Sequence, residues 1–189
     1  LANPGGVVID LEAIAKVAQE GGVPLIVDNT MATPALCRPI EWGADLVTHS
    51  TTKFLSGQGN AVGGVVIDSG TFPWLSNEKF PSLSQPAAEY NGIIFAETFG
   101  NDLAYTLYSH AVSLRDLGAT MSPFHAWLTL NGVETLALRM ERHCQNAQRV
   151  AEFLQGHPQV DWVSYAGLPD NSFHQLASKY LEGGAGSVF

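Results

Sequence analysis

Two ionisable side chains stand where apolar runs give out. Asp28 closes "VPLIVD", and Lys53 follows "ADLVTHSTT". The lysines of the chain are Lys16, Lys53, Lys79 and Lys179, and three of them sit in polar, helix-like or loop-like surroundings that suit a solvated ammonium. Lys53 instead comes just past a strand-like run. An acid at the end of an apolar run is costly to bury without a cation or a hydrogen-bond donor. A salt bridge to Lys53, or a capping role for Asp28, accounts for the pair as readily as a reactive site does. Ser50 and Thr52 add a second observation, because residues two apart face the same side of extended backbone. Two hydroxyls on one side, beside an amine, suit a phosphate and leave Lys53 for chemistry. Strand-end hydrogen bonding is the plainer reading of the hydroxyls.

An amine near a phosphate and an aspartate near a protonated ring nitrogen are the protein side of a pyridoxal phosphate site. There the lysine forms a Schiff base and the acid keeps the ring an electron sink. Competing motifs are weaker. "GQGNAVG" has the glycines of a nucleotide loop, but no Lys-Ser/Thr pair follows, and "VGGVVID" reads as strand rather than helix. The histidines at 49, 110, 125, 143, 157 and 174 show no metal-ligand spacing, so no metal is expected, and His49 reads as a packed core residue. Ser113 lacks the strand-turn-helix setting of a nucleophile elbow.

The elements that must position these groups follow an α/β rhythm. "DLEAIAKVAQEGG" predicts a helix capped by Asp10, with Leu11, Ile14, Ala15 and Ala18 on one face and Gly21 and Gly22 to stop it. "VPLIVDNT" predicts a strand buried on both faces. A short helix over 34–42, the strand "ADLVTHS" and the strand "AVGGVVID" come next. Both ionisable groups then fall beyond the carboxyl ends of strands, where ligands of open α/β sheets bind. Residues 70–86 are rich in Pro, Ser, Asn and Gly and predict a long surface loop. Helices are expected over 102–117, from Pro123 onward, and over "RMERHCQNAQRVAEFLQ", with Met140, Cys144, Ala147, Ala151 and Leu154 on its inner face. "VDWVSYAG" predicts a further strand. "SFHQLASKYL" predicts a last helix that turns Phe173, Leu176, Ala177, Tyr180 and Leu181 inward.

The 189 residues carry 18 acids against 9 bases, a formal charge of −9. That balance argues against nucleic acid or an anionic membrane surface, which need clustered Lys and Arg. No apolar run reaches the roughly 20 residues that span a bilayer. Cys37 and Cys144 are too far apart in sequence to suggest a metal knuckle or a disulfide framework, and a reducing, cytoplasmic setting is expected. The chain opens at "LANPGG" and stops at "GAGSVF" as an apolar run begins, which reads as an internal segment of a longer protein.

With these residues in view, the chain resembles the Cys/Met-metabolism family of pyridoxal-phosphate enzymes, of fold type I. "VDNTMATP", "GADLVTHSTTKFLSG" and "GGVVID" carry the resemblance around the lysine. "YNGIIFAETFG", the long stretch from "LRDLGATMSPFHAWLTLNGVETLALRM" to "AEFL", and "GAGSVF" are similar to its sulfhydrylase branch.

The resemblance implies a three-layer α/β/α, mostly parallel sheet. Residues 1–135 would be the second half of the cofactor-binding domain, and 136–189 a linking helix and the start of a smaller α/β domain. It implies pyridoxal 5'-phosphate as cofactor, with Lys53 in the Schiff base, Asp28 on the pyridine nitrogen, and Ser50 and Thr52 on the phosphate. Asn3 would meet the ring's phenolic oxygen. Thr30 would line the ring, although a turn residue bonding its own backbone explains it nearly as well. Where many relatives have His two residues after the Ser of "SG", this chain has Gln58. The implied activity is γ-replacement on O-acetylhomoserine by sulfide or a small thiol, with a C–S lyase or a cystathionine γ-synthase as runners-up. Homo-oligomers whose neighbouring subunit completes the site are implied as well. The ring-stacking aromatic and the arginine for the substrate carboxylate would lie outside these residues, so a folded but catalytically incomplete segment is the reading from another class.

Overall fold

The computed structural model describes residues 1–187. Helix α1 (Leu11–Glu20) starts where Asp10 accepts the Ala13 N–H at 3.1 Å and stops at Gly21. Leu11 is buried and Ala15 and Ala18 half-buried, whereas Ile14 stays exposed. Strand β1 (Ile26–Asp28) follows, and its Ile26 is 56% exposed, so the expected burial on both faces is not met here.

The single short helix expected over 34–42 is two pieces, α2 (Thr33–Leu36) and a 3-10 turn (Pro39–Trp42). Pro39 has no N–H to donate, and it pushes the preceding Arg38 to φ −117°, ψ 87°, outside the helical region. Strand β2 (Leu46–Ser50) buries Leu46 and Val47, and β3 (Gly64–Asp68) completes a sheet of order β1-β2-β3. β1 and β2 are parallel, with Ile26 opposite Leu46 and Asp28 opposite Thr48. β3 runs antiparallel to β2, with Ser50 opposite Gly64.

Residues 70–86 are not simply a surface loop. Phe72, Trp74 and Leu83 are buried there, the last in α3 (Pro81–Ser84). They pack with Phe95 and Ala96 of α4 (Phe95–Phe99) and Ala104 of α5 (Asn101–Tyr108) into an aromatic cluster in which Trp74 stacks on Tyr105. The polar and Pro-rich composition hides the aromatics Phe72, Trp74 and Phe80, the last partly buried, which with Leu83 bury a large area. α5 widens into a π-type turn (Ser109–Asp116).

Helices α6 (Pro123–Glu134) and α7 (Leu136–Gln155) break at Thr135, and α8 (His174–Tyr180) follows. α7 buries Met140, Cys144, Ala147 and Ala151, as its spacing predicts. The main core joins these to Leu36, Leu55, Tyr165, Ala177 and Tyr180. "VDWVSYAG" forms no strand. Its Tyr165 is buried and donates to the Gly186 carbonyl at 2.9 Å, but no described segment offers this stretch a ladder. Both cysteines are buried and free, and no described helix is long and apolar enough to cross a membrane.

Candidate functional site

Because β1 and β2 are parallel, their carboxyl ends share one edge of the sheet. Asp28 is the last residue of β1, and its partner Thr48 lies two residues before Ser50, so Asp28, Thr48 and Ser50 share a face. Past Asp28 the ladder continues through Asn29, whose N–H donates to the Thr48 carbonyl at 2.9 Å. One step on, a side chain takes over: the Ser50 N–H donates to Thr30 Oγ1 at 2.8 Å. The Thr30 N–H in turn donates to Asp28 Oδ1 at 2.9 Å, which orients the exposed carboxylate. Asp28, Thr30 and Ser50 are therefore one connected unit. Thr30 bridges the two strands rather than bonding only its own turn.

The hydroxyls divide. Thr52 Oγ1 accepts the Gly63 N–H at 3.1 Å and donates to the Gly63 carbonyl at 3.3 Å, the strand-end bonding that its position allows. Ser50 Oγ enters no hydrogen bond among the described residues, and Thr51 Oγ1 is buried without a partner there. Gly63 is the partner that sequence reasoning missed. A Cβ on it would come within 2.5 Å of Met121 Cε and 2.9 Å of Thr51 Oγ1, so a side chain there would press on both of those side chains. The double glycine of "AVGGVVID" was the available signal.

Lys53 interrupts the π-type turn Thr51–Leu55 with φ −90°, ψ −122°. Its backbone is held, since the Gly57 N–H donates to the Lys53 carbonyl at 2.9 Å and the Ser56 N–H to the Thr51 carbonyl at 3.0 Å. Its side chain is exposed and enters none of the ion pairs among the described residues, so the salt-bridge reading with Asp28 does not hold here. Asn3 is exposed in a loop closed by hydrogen bonds between Ala2 and Val7 and between Gly6 and Ala2. Its neighbour Ala2 lines, with Leu1, Val27, Asp28 and Asn29, a cavity of about 200 Å3. Asn3 itself does not line that cavity.

His49 alternates to the opposite face of β2 and is 6% exposed, packed as expected. Its Nδ1 has no partner among the described residues. Burial pushes its imidazole below the usual histidine range, and the negative charge of Asp28 pulls partly the other way.

A family profile described as Cys/Met metabolism PLP-dependent enzyme matches residues 1–189. The homocysteine synthase of Schizosaccharomyces pombe is 51% identical over 190 residues, covering 100% of this chain and 44% of the relative. The structure superimposes on that of a candidate O-acetylhomoserine (thiol)-lyase from Campylobacter jejuni, which carries N'-pyridoxyl-lysine-5'-monophosphate. The TM-score is 0.91 with 37% identity, over 99% of this chain and 46% of that one. The cystathionine gamma synthase of Xanthomonas oryzae, in complex with aminoacrylate and cysteine, aligns at TM-score 0.73 and 33% identity, over 98% and 39%. The chain thus spans less than half the length of the proteins it matches.

Proposed function

The chain belongs to the Cys/Met metabolism family of PLP-dependent enzymes, and we propose from that premise that its parent protein is an O-acetylhomoserine sulfhydrylase. It would exchange the acetate of O-acetylhomoserine for sulfide or a small thiol and so yield homocysteine or methionine. The observation that carries this reading is the set of groups on one carboxyl edge: an oriented carboxylate and, among the described residues, an uncommitted hydroxyl and an amine in no ion pair. Those groups fit a ligand with a basic ring nitrogen at one end and a phosphate at the other. The higher TM-score to the (thiol)-lyase than to the cystathionine synthase supports the choice of activity.

When bound, pyridoxal phosphate supplies the electron sink that lets a proton leave the substrate's α-carbon. Asp28 would hold the ring nitrogen protonated, its carboxylate kept in place by the Thr30 N–H. Ser50 Oγ would donate to the phosphate, and Thr52 Oγ1 would join it by turning away from its long bond to the Gly63 carbonyl. Asn3 would meet the phenolic oxygen and Thr30 would line the ring. Lys53 would hold the cofactor covalently and, once displaced by the substrate amine, carry the proton between the substrate's α and β carbons. Residues 1–135 would form the second half of the cofactor domain, and 136–189 the linking helix and the start of the small domain. A homo-oligomer in the cytoplasm, with a neighbouring subunit completing the site, belongs to the same reading.

The test uses the full-length parent with pyridoxal phosphate, O-acetylhomoserine and sulfide, and measures homocysteine and acetate. Stoichiometric release of both is expected, and Asp28→Asn should lower kcat by about 100-fold or more while the cofactor stays bound. Cystathionine from added cysteine, or a keto acid without thiol incorporation, as the main product would overturn the assignment.

A further inference from the structure

The turn that carries Lys53 rests on a seat built by α6 and α7. Gly132 of α6 faces it so closely that a Cβ there would lie 2.3 Å from the Ser56 carbonyl oxygen and 2.4 Å from that of Leu55. Only a hydrogen atom separates the two backbones. Arg139, in the first turns of α7, donates through Nη2 to the Gly132 carbonyl at 2.7 Å and through Nε to Thr135 Oγ1 at 3.1 Å. Its guanidinium lies against Gly57, where a Cβ would come within 2.6 Å of Arg139 Cζ. Gly57 also has φ +78°, and its N–H closes the hydrogen bond on the Lys53 carbonyl. One helical turn after Arg139, His143 meets the Phe54 ring edge-on at 5.4 Å. Residues 54, 55, 56 and 57 are thus all held from one side, and Lys53, which enters no ion pair among the described residues, is flanked by held neighbours.

We propose that Gly132 and Arg139 are positioning residues for Lys53. The lysine stem is four flexible carbons, so where its ammonium can reach is set by where its backbone sits. The seat sets that backbone. Gly132 fixes the depth of the turn, and Arg139 fixes its far end at Gly57 while adding a short bond to the Gly132 carbonyl, which also accepts longer ones from the Thr135 N–H and Oγ1 at the end of α6. Arg139 comes from the residues read as the second domain and Lys53 from the first, so the seat ties the position of the amine to the placement of α7. This rests on the reading of Lys53 as the cofactor lysine.

The experiment uses the full-length parent, loaded with pyridoxal phosphate, as Gly132→Ala, Arg139→Gln, Arg139→Lys and Lys53→Ala. For each, kcat is normalised to the sites counted by visible cofactor absorbance, and KM for O-acetylhomoserine and Tm are recorded. Gly132→Ala should lower kcat per loaded site on the order of 100-fold, the scale of a misplaced reacting group. Arg139→Gln should lower it about tenfold, with KM within about threefold, and Arg139→Lys, which keeps a donor for the Gly132 carbonyl, should fall between it and the wild type. If Gly132→Ala does not fold, Arg139→Gln carries the test. Normal kcat per loaded site in Arg139→Gln, or a loss explained wholly by lower occupancy or lower Tm, would overturn the seat and leave Arg139 a helix cap. Lys53→Ala separates the two ideas. Should it keep both absorbance and turnover, the cofactor-lysine reading fails first, whatever the other variants do.

Discussion

Thr30→Val isolates the link between the two strands that bear the site. β1 ends at Asp28, so it supplies no regular backbone acceptor opposite Ser50, and Thr30 Oγ1 fills that place at 2.8 Å. Valine keeps the branched shape and removes the hydroxyl, and with it the acceptor for the Ser50 N–H. An unsatisfied buried N–H costs about 1–3 kcal/mol, and Ser50 is half-buried, so water can reach it in part and the low end of that range applies. A loss of about 1–1.5 kcal/mol is expected, which for a chain of this size corresponds to a Tm lower by about 3–5 °C. Each 1.4 kcal/mol is tenfold in an equilibrium constant, so loosening Ser50 should weaken cofactor retention by up to about tenfold. The assay is thermal unfolding monitored by circular dichroism, paired with equilibrium dialysis of pyridoxal phosphate, on wild type, Thr30→Val and Thr30→Ser. Thr30→Ser retains an acceptor and should recover most of both losses. Equal Tm and equal retention in Thr30→Val, or a serine variant as damaged as the valine one, would refute the reasoning.

Met140 has no exposed surface and packs in the main core, so Met140→Ala should cost about 2–5 kcal/mol, read as a lower urea midpoint at unchanged slope. Burial lowers the imidazole pKa of His49 below its unfolded value, so the unfolded chain binds the extra proton more readily. Stability from this group is therefore complete above about pH 6.5 and falls as the pH drops below that toward the folded value. Tm measured from pH 7.5 to pH 5.5 should decline, and His49→Gln should flatten that part of the decline.

The local signals that could be read in the sequence were those whose physics is local. Asp10 caps α1 as its position predicts, and the inner face of α7 is the one its spacing gives, because a cap and a helical stripe are decided within a few residues. What failed needed distant partners. "VDWVSYAG" has the composition of a strand, but a strand exists only with a ladder beside it. Val66 of β3 is 51% exposed and Trp127 of α6 is 57% exposed, since periodicity reports what a segment tends to bury and not what buries it. The site shows the same division. Asp28, Ser50 and Lys53 could be placed at a strand edge from order alone, and the parallel register of β1 with β2 puts the first two on one face. The Thr30 bridge, the Gly63 bonds of Thr52 and the seat at Gly132 and Arg139 join residues 7 to 82 positions apart, and apart from the double glycine at 63 and 64 nothing in the local pattern announces them.

The central claim is that Lys53 is the residue joined to the cofactor, and borohydride trapping tests it most directly. The full-length parent is incubated with pyridoxal phosphate and reduced, which converts the carbon–nitrogen double bond to a stable secondary amine. It is then digested for peptide mass spectrometry. The phosphopyridoxyl mass should appear on the lysine of "STTKFLSG" and not on Lys16, Lys79 or Lys179. A label on another lysine, or none on Lys53 in protein that is catalytically active, would contradict the account.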